Sequence, residues 1–242
     1  MKNGQHLVVI PAHNEMENIY EVVTRSLMYA DVSVTDDGSR DQTPEILRKI
    51  QRECHQGCHR HELHVITHPQ ATHIPKSIQD GLRYGVERGY SFIITMDAGL
   101  SHDPDALPDF FEIGPSVDVV IGRRNYVRNV PFYRKLISRM ASVVVNYALT
   151  DSFLKFRGVA IADCTSGFRR YSFRAAEAIA WSELKSKAFD FHMEALALTI
   201  RKGMKVLEIP ITYVFSNSSF NKKVLGQAMK FGFYLLKTKG KT

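Results

Sequence analysis

Apolar residues come in short blocks along the first half of the chain, and each block stops at a polar cluster. His6–Ile10 is such a block, closed by Pro11, and reads as a buried strand. Glu17–Ala30 then carries Ile19, Val22, Val23 and Leu27 at helical spacing. Asp31–Thr35 predicts a second strand, halted by the turn-forming Asp36-Asp37-Gly38-Ser39. Thr43-Pro44, a capping residue before a proline, opens a helix that runs to Cys54. Leu63–Thr67 is a third strand, Pro75–Arg88 a helix ended by Gly89, and Ser91–Met96 a strand that stops at Asp97-Ala98-Gly99. Asp103, before Pro104, caps another helix, and Asp118–Ile121 is a fifth strand ending at Gly122.

Strands alternating with helices across short loops predict an α/β, Rossmann-like fold: a mostly parallel sheet with helices on both faces. Such sheets bind ligands beyond the carboxyl ends of their strands. The polar clusters Pro11–Glu15, Asp36–Ser39, Asp97–Asp103 and Arg123-Arg124 sit at those ends. The second half is more helical. Pro131–Thr150, Phe173–Trp181 and Phe189–Arg201 predict helices, Val206–Phe215 a strand, and Gly226–Lys239 a last helix, first aromatic and then basic. No Pro/Gly/Ser-rich linker interrupts the chain, so one domain over 1–242 is expected.

Composition narrows the class. At 44% apolar the chain is globular. It has no uninterrupted apolar stretch of about 18 residues to span a bilayer. Its polar start, before the short run Leu7–Ile10, does not read as a signal peptide. A cytoplasmic location follows as the expectation. The odd set Cys54, Cys58 and Cys164 suits reduced thiols. A net charge of +7 fits a plain basic protein or a surface for phosphates and lipid headgroups. No nucleic-acid motif is present, and no nucleic-acid partner is expected.

Each rim cluster has a bland and a chemical reading. Glu15 is a helix-start acid favoured by the macrodipole, or a contact for a base or ribose. Asp41 and Thr43 suit a turn and a cap. Asp36-Asp37 directly after a buried strand is harder to read as turn alone, and Asp37 is the expected ligand contact. Asp97 follows an apolar strand, where an unpartnered carboxylate is costly, so a metal or bound ligand would complete it. The Cys/His-rich stretch Cys54–His64 has no zinc spacing and reads as a solvated loop.

The strings VVIPAHNE, DDGSRDQT and MDAGLSHDP, in this order and each at a strand end, resemble family 2 of the inverting glycosyltransferases, with the GT-A fold. DVVIGRR (118–124), RKLISRMAS (134–142), DCTSGFR (163–169), FHME (191–194) and EIPI (208–211) look like the dolichol-phosphate mannose synthases and their bacterial polyprenyl-phosphate relatives. The resemblance spans residues 6–215. It implies inverting transfer of a hexose, mannose from GDP-mannose, to a polyprenyl or dolichyl phosphate at the cytosolic face of a membrane.

By position, the resemblance implies that Pro11, Asn14 and Glu15 hold the base and nucleoside and that Asp37 meets the ribose. Asp97 would face the diphosphate and a Mg2+ or Mn2+ ion, with Lys222 covering the diphosphate. Arg124, Arg134 and Ser138 would bind the acceptor phosphate, and Asp163 would shape the pocket near the sugar. Asp97, Arg124 and Asp163 are the catalytic candidates. Arginine suits phosphate, and Arg134 and Ser138, four apart, share a helix face. The resemblance divides the chain into a nucleotide-binding half (1–122), an acceptor-side half (123–225) and a C-terminal amphipathic, basic helix (226–242). That last helix and the one from Pro131 lie at the bilayer surface, or form a solvated tail and a core helix; both readings stay open.

Two departures stand out. The family's Asp-x-Asp is here Asp97-Ala98-Gly99, and its Arg-x-x-Gly-x-Ser-Lys string is replaced by Ser216–Lys223. They keep open a saccharide acceptor, or a non-catalytic module that binds sugar nucleotides.

Overall fold

The computed structural model describes residues 5–128, 142, 161–188 and 190–214. Strands β1 (His6–Ala12), β2 (Asp31–Asp37), β3 (Leu63–His68), β4 (Phe92–Thr95), β5 (Val119–Arg128), β6 (Arg169–Ser172) and β7 (Val206–Val214) form one sheet. Its order is β3-β2-β1-β4-β6-β5-β7. β1 runs parallel to β2 and β4, β2 to β3, and β5 to β7, whereas β6 is antiparallel to both β4 and β5.

The helices are α1 (Ile19–Ser26), α2 (Thr43–His55), α3 (Ile74–Glu87), α4 (Leu107–Phe111), α5 (Phe173–Ala180) and α6 (Phe191–Arg201). Alternation along the strands divides the core into two layers. Leu7, Val9, Ile93 and Val119 pack with α3, α5 and α6. Val8, Ile10, Ile94 and Val120 pack with α1, α2 and α4 on the other face. The expected α/β sheet, covered on both faces, is therefore what the chain builds.

Local chemistry explains several element ends. Val9 O accepts from Met96 N at 3.1 Å, so the odd-numbered residues of β1 turn their backbone toward β4. The β1–β4 pairing ends at Val9, so the missing N–H of Pro11 costs no ladder bond. Asp103 accepts from Asp105 N at 3.2 Å and caps the 3₁₀ turn Pro104–Ala106 that leads into α4. Gly38 lies at φ +70°, and a side chain there would meet the Gln70 backbone at 2.7 Å, so only glycine lets the β3–α3 loop close on the β2 end.

The structure departs from the sequence pattern in three places. α1 is shorter than Glu17–Ala30. β5 continues through Gly122 to Arg128, paired with β7 along its length. β6 was not expected at all, because Arg169-Arg170 carries no strand signature. Both arginines are fully buried, and carbonyl oxygens receive every guanidinium nitrogen except Arg170 Nε. Arg169 donates to Ser166 O (2.8 Å), His192 O (2.6 Å) and Cys164 O (2.7 Å). Arg170 donates to Phe110 O (3.0 Å), Gly114 O (3.2 Å), Val117 O (3.3 Å) and Ile113 O. The expected helices from Pro131 and Gly226, and with them Arg134, Ser138 and Lys222, lie outside the described residues.

Candidate active site

The loops after β1 and β2 are laced together at the carboxyl rim. Asn14 N donates to Ser39 Oγ (2.9 Å), Arg40 N to Asn14 Oδ1 (2.8 Å), Glu15 N to Thr43 Oγ1 (2.8 Å) and Met16 N to Asp41 Oδ2 (3.2 Å). Asn14 sits at φ 56°, a left-handed conformation that asparagine tolerates. His13 donates from Nδ1 to Asp37 O (2.8 Å), which leaves Nε2 to accept from Asn14 Nδ2 (3.1 Å). Beside this lacing lies a cavity of about 850 Å³, lined among others by His13, Asn14, Asp36, Arg40, Arg48 and Gln70.

The two adjacent acids of β2 part company here. Asp37 Oδ1 accepts from Thr72 N (2.8 Å) and Thr72 Oγ1 (2.7 Å) and faces His68 Nδ1 (2.7 Å), while Oδ2 accepts from His73 N (2.9 Å). Burial raises the Asp37 pKa, but the hydrogen bonds from His68, Thr72 and His73 outweigh it and hold the carboxyl below its ordinary range. His68 reaches on to Asp80 Oδ2 at 3.0 Å. Asp37, expected at the ribose, therefore clamps the β3–α3 loop, and Asp36 is the acid of the pair that lines the cavity. Strand alternation is the reason: consecutive residues point to opposite faces, and the composition of the turn does not reveal the phase.

Across β1, at the end of β4, Asp97 keeps 39% of its side chain exposed beside the buried His102. Asp97 N donates to His102 Nδ1 at 3.3 Å. Burial lowers the His102 pKa, so its ring is neutral. Glu15 is half-buried, and its pKa is raised first by that burial and then, against a hydrogen bond from Asn18, by the charge of Asp97. The same Asp97 charge is among those that raise the Arg124 pKa. Glu15, Asp97 and Arg124 thus share one electrostatic neighbourhood although three strands deliver them.

Arg124 forks onto Asp163: Nε meets Oδ2 at 2.7 Å and Nη2 meets Oδ1 at 2.6 Å, with Nη2 also on Thr165 Oγ1 at 2.6 Å. Burial raises the Asp163 pKa, but the Arg124 guanidinium overcomes it and the net shift is downward. Glu208 of β7 secures the turn beneath, accepting from Ala162 N (2.9 Å) and Asp163 N (2.8 Å). The Tyr213 ring lies 5.3 Å from the guanidinium carbon. Neither Glu208 nor Tyr213 was assigned a role from the sequence. An acid inside an otherwise apolar strand end was the available signal for Glu208.

The rim thus gathers Asn14, Glu15, Asp97, Arg124 and Asp163 around the ends of β1, β4 and β5. It turns Asp37 away, and Pro11 serves as a strand residue paired with Thr35. Among the described residues, no three His, Cys, Asp or Glu side chains cluster as a metal cage.

The family described as glycosyl transferase family 2 matches residues 7–179. The chain belongs to this family. It is 30% identical over 233 residues to an undecaprenyl-phosphate mannosyltransferase of Micrococcus luteus, covering 92% of this chain and 90% of that one. It is 30% identical over 215 residues to a polyprenol monophosphomannose synthase of Mycolicibacterium smegmatis, covering 86% and 76%. Among solved structures, a Pyrobaculum calidifontis mannosyltransferase in complex with GDP-Man and Mn2+ aligns with a TM-score of 0.66 at 18% identity, over 100% of this chain and 66% of that one. A Mycobacterium tuberculosis glucosyl-3-phosphoglycerate synthase in complex with Mn2+, UDP-Glc and phosphoglyceric acid aligns with a TM-score of 0.67 at 16% identity, over 97% and 79%.

As a family 2 member the chain is a glycosyltransferase of the GT-A kind. The family match runs from β1 into α5, so the ends of β1, β2, β4 and β5 and the Asp163–Arg169 turn all lie within it. His192, Glu208 and Tyr213 lie beyond it. Among the described residues, no helix is long and apolar enough to cross a membrane.

Proposed function

We propose that this glycosyltransferase moves a hexose, mannose from GDP-mannose, onto a polyprenyl phosphate with inversion at the anomeric carbon, while docked on the cytosolic face of a membrane. One juxtaposition carries the reading: the Arg124–Asp163 fork stands beside Asp97, at the same rim as a cavity large enough for a nucleoside. The two bacterial relatives with polyprenyl acceptors in their names support the choice of acceptor.

In this reading the nucleoside occupies the cavity against Asn14, Asp36 and Arg48, and the diphosphate runs toward Asp97. An acceptor phosphate is already ionised at neutral pH, so no strong general base is needed. The work of the site is positioning and charge neutralisation. Arg124, held in one plane by Asp163 and Thr165, offers a pre-oriented cation to the acceptor phosphate. Arg134 and Ser138 are assigned to the acceptor phosphate, and Lys222 to the diphosphate, by the sequence resemblance alone.

A hard oxygen donor such as Asp97 suits Mg2+ or Mn2+, but one carboxylate fits a cation shared with the diphosphate rather than a site built by protein alone. When bound, such a cation would neutralise charge on the leaving diphosphate. Gly99, where the family has a second acid, also supports a second reading: a module that binds the donor without turning it over.

Incubation with radiolabelled GDP- and UDP-sugars and a polyprenyl phosphate, followed by organic extraction, tests both. Label from GDP-mannose in the lipid phase is the expected result. Label in a water-soluble glycan instead would move the assignment to a saccharide acceptor, and donor binding without any transfer would favour the module.

A further inference from the structure

Gly167 is buried in the turn before β6, and the atoms around it are unusual. A side chain there would begin 3.0 Å from His192 Nε2 and 3.2 Å from Asp97 Oδ1. The two atoms therefore face one small region in front of the Gly167 backbone. His192 is 2% exposed, and its Nδ1 is buried with no hydrogen-bond partner. Ser166 Oγ, one residue before Gly167, is also buried and unpartnered. Buried polar atoms are normally satisfied, so two orphans beside one glycine call for an explanation. Burial together with the charges of Arg169 and Arg124 keeps the His192 ring neutral.

A neutral imidazole has one N–H and one lone pair. A buried N–H without a partner costs more than a buried lone pair, so the proton belongs on Nε2, toward the Gly167 region. That region then offers a donor, His192 Nε2–H, and an acceptor, Asp97 Oδ1. The group that satisfies both must accept one hydrogen bond and donate another. A hydroxyl does so unaided, whereas a phosphate oxygen has no hydrogen to donate and meets Asp97 favourably only with a cation between them.

We infer that His192, Gly167 and Asp97 form a subsite for one hydroxyl of the transferred sugar, with His192 as a residue that selects the hexose. This rests on the reading of Asp97 as the residue nearest the donor's diphosphate-sugar. It goes beyond that reading by assigning a sugar contact to a side chain outside the family match, with no role in the handling of the nucleotide.

Calorimetric titration of the full chain with GDP, UDP and GDP-mannose tests it, using wild type, His192→Phe, His192→Gln and Gly167→Ala. The phenylalanine keeps the ring and removes the nitrogens, the glutamine restores an N–H, and the alanine fills the cradle. Expected is unchanged GDP affinity in all four, at least tenfold weaker GDP-mannose binding in His192→Phe and Gly167→Ala, and recovery in His192→Gln. Retained GDP affinity also shows that each variant is folded. Equal GDP-mannose affinity in wild type and His192→Phe would overturn the subsite, leaving a trapped water as the partner of His192. If wild-type chain binds neither GDP nor UDP, the donor reading falls and the subsite with it, a result distinct from the loss of sugar preference alone.

Discussion

Asp163 grips Arg124 with both carboxylate oxygens, at 2.6 and 2.7 Å, and Arg124 N closes on the same group at 3.2 Å. Only 8% of the Asp163 side chain and 22% of Arg124 remain exposed. Breaking such a pair leaves a charge buried without its partner. Asp163→Asn should therefore destabilise the fold by about 3 kcal/mol in urea denaturation and lower transfer at least tenfold. The pair also has a pH signature. Because the folded pKa of Asp163 is depressed, its stabilisation is present above about pH 4 and is lost as the pH falls through the lowered value. The stability difference between wild type and Asp163→Asn should shrink on acidification below that point.

The neighbouring acids of β2 should separate cleanly. Asp37→Asn disrupts the clamp on Thr72 and His73 and should lower stability by about 2 kcal/mol. Asp36→Asn alters the cavity wall and should weaken nucleotide binding with less than about 1 kcal/mol of stability lost. Paired denaturation and nucleotide titration of the two variants is the check. Reversed behaviour would return Asp37 to the ligand.

His6 stacks on Phe111 with ring centres 4.1 Å apart, and burial, aided by the Arg170 charge, lowers its pKa to about 4. The unfolded chain takes up this proton near pH 6.5, whereas the folded chain resists until about 4. Between those values the unfolded state binds more protons, so stability falls as the pH drops. His6→Phe keeps the stack and cannot titrate. Its advantage over wild type in thermal melts should grow from pH 7 to pH 4.5.

His73 stands at φ 81° and ψ 154°, a region that glycine alone occupies without strain. Its N–H is committed to Asp37 and its side chain is exposed. His73→Gly should raise stability by about 1 kcal/mol without affecting the cavity. Chemical denaturation together with unchanged nucleotide affinity would bear this out. A loss of stability would mean that the imidazole makes a contact of its own.

Much of the first half was legible because each parallel strand there is a plain apolar block with a polar end. Blocks such as Leu7–Ile10 need no partner information to be read. The phase of Asp36-Asp37 was not legible, since one residue of alternation decides which carboxylate lines the cavity. β6 was hidden for a different reason. Its arginines are buried only because carbonyls from residues 110–117, 164–166 and 192 converge on them, and nothing local announces that convergence. The same holds for Glu208, whose partners lie 45 and 46 residues away along the chain.

The two arginines of β6 act as a ratchet pawl for the whole rim. Arg169 and Arg170 are anchored on opposite faces of the sheet, so a slip of one position would swing each guanidinium into the other's layer, away from every oxygen that receives it. The strand is locked in its track, and with it the distance from Gly167 to Asp97. The placement of Gly167 against Asp97 is thereby inherited from two cations buried within the sheet's own layers.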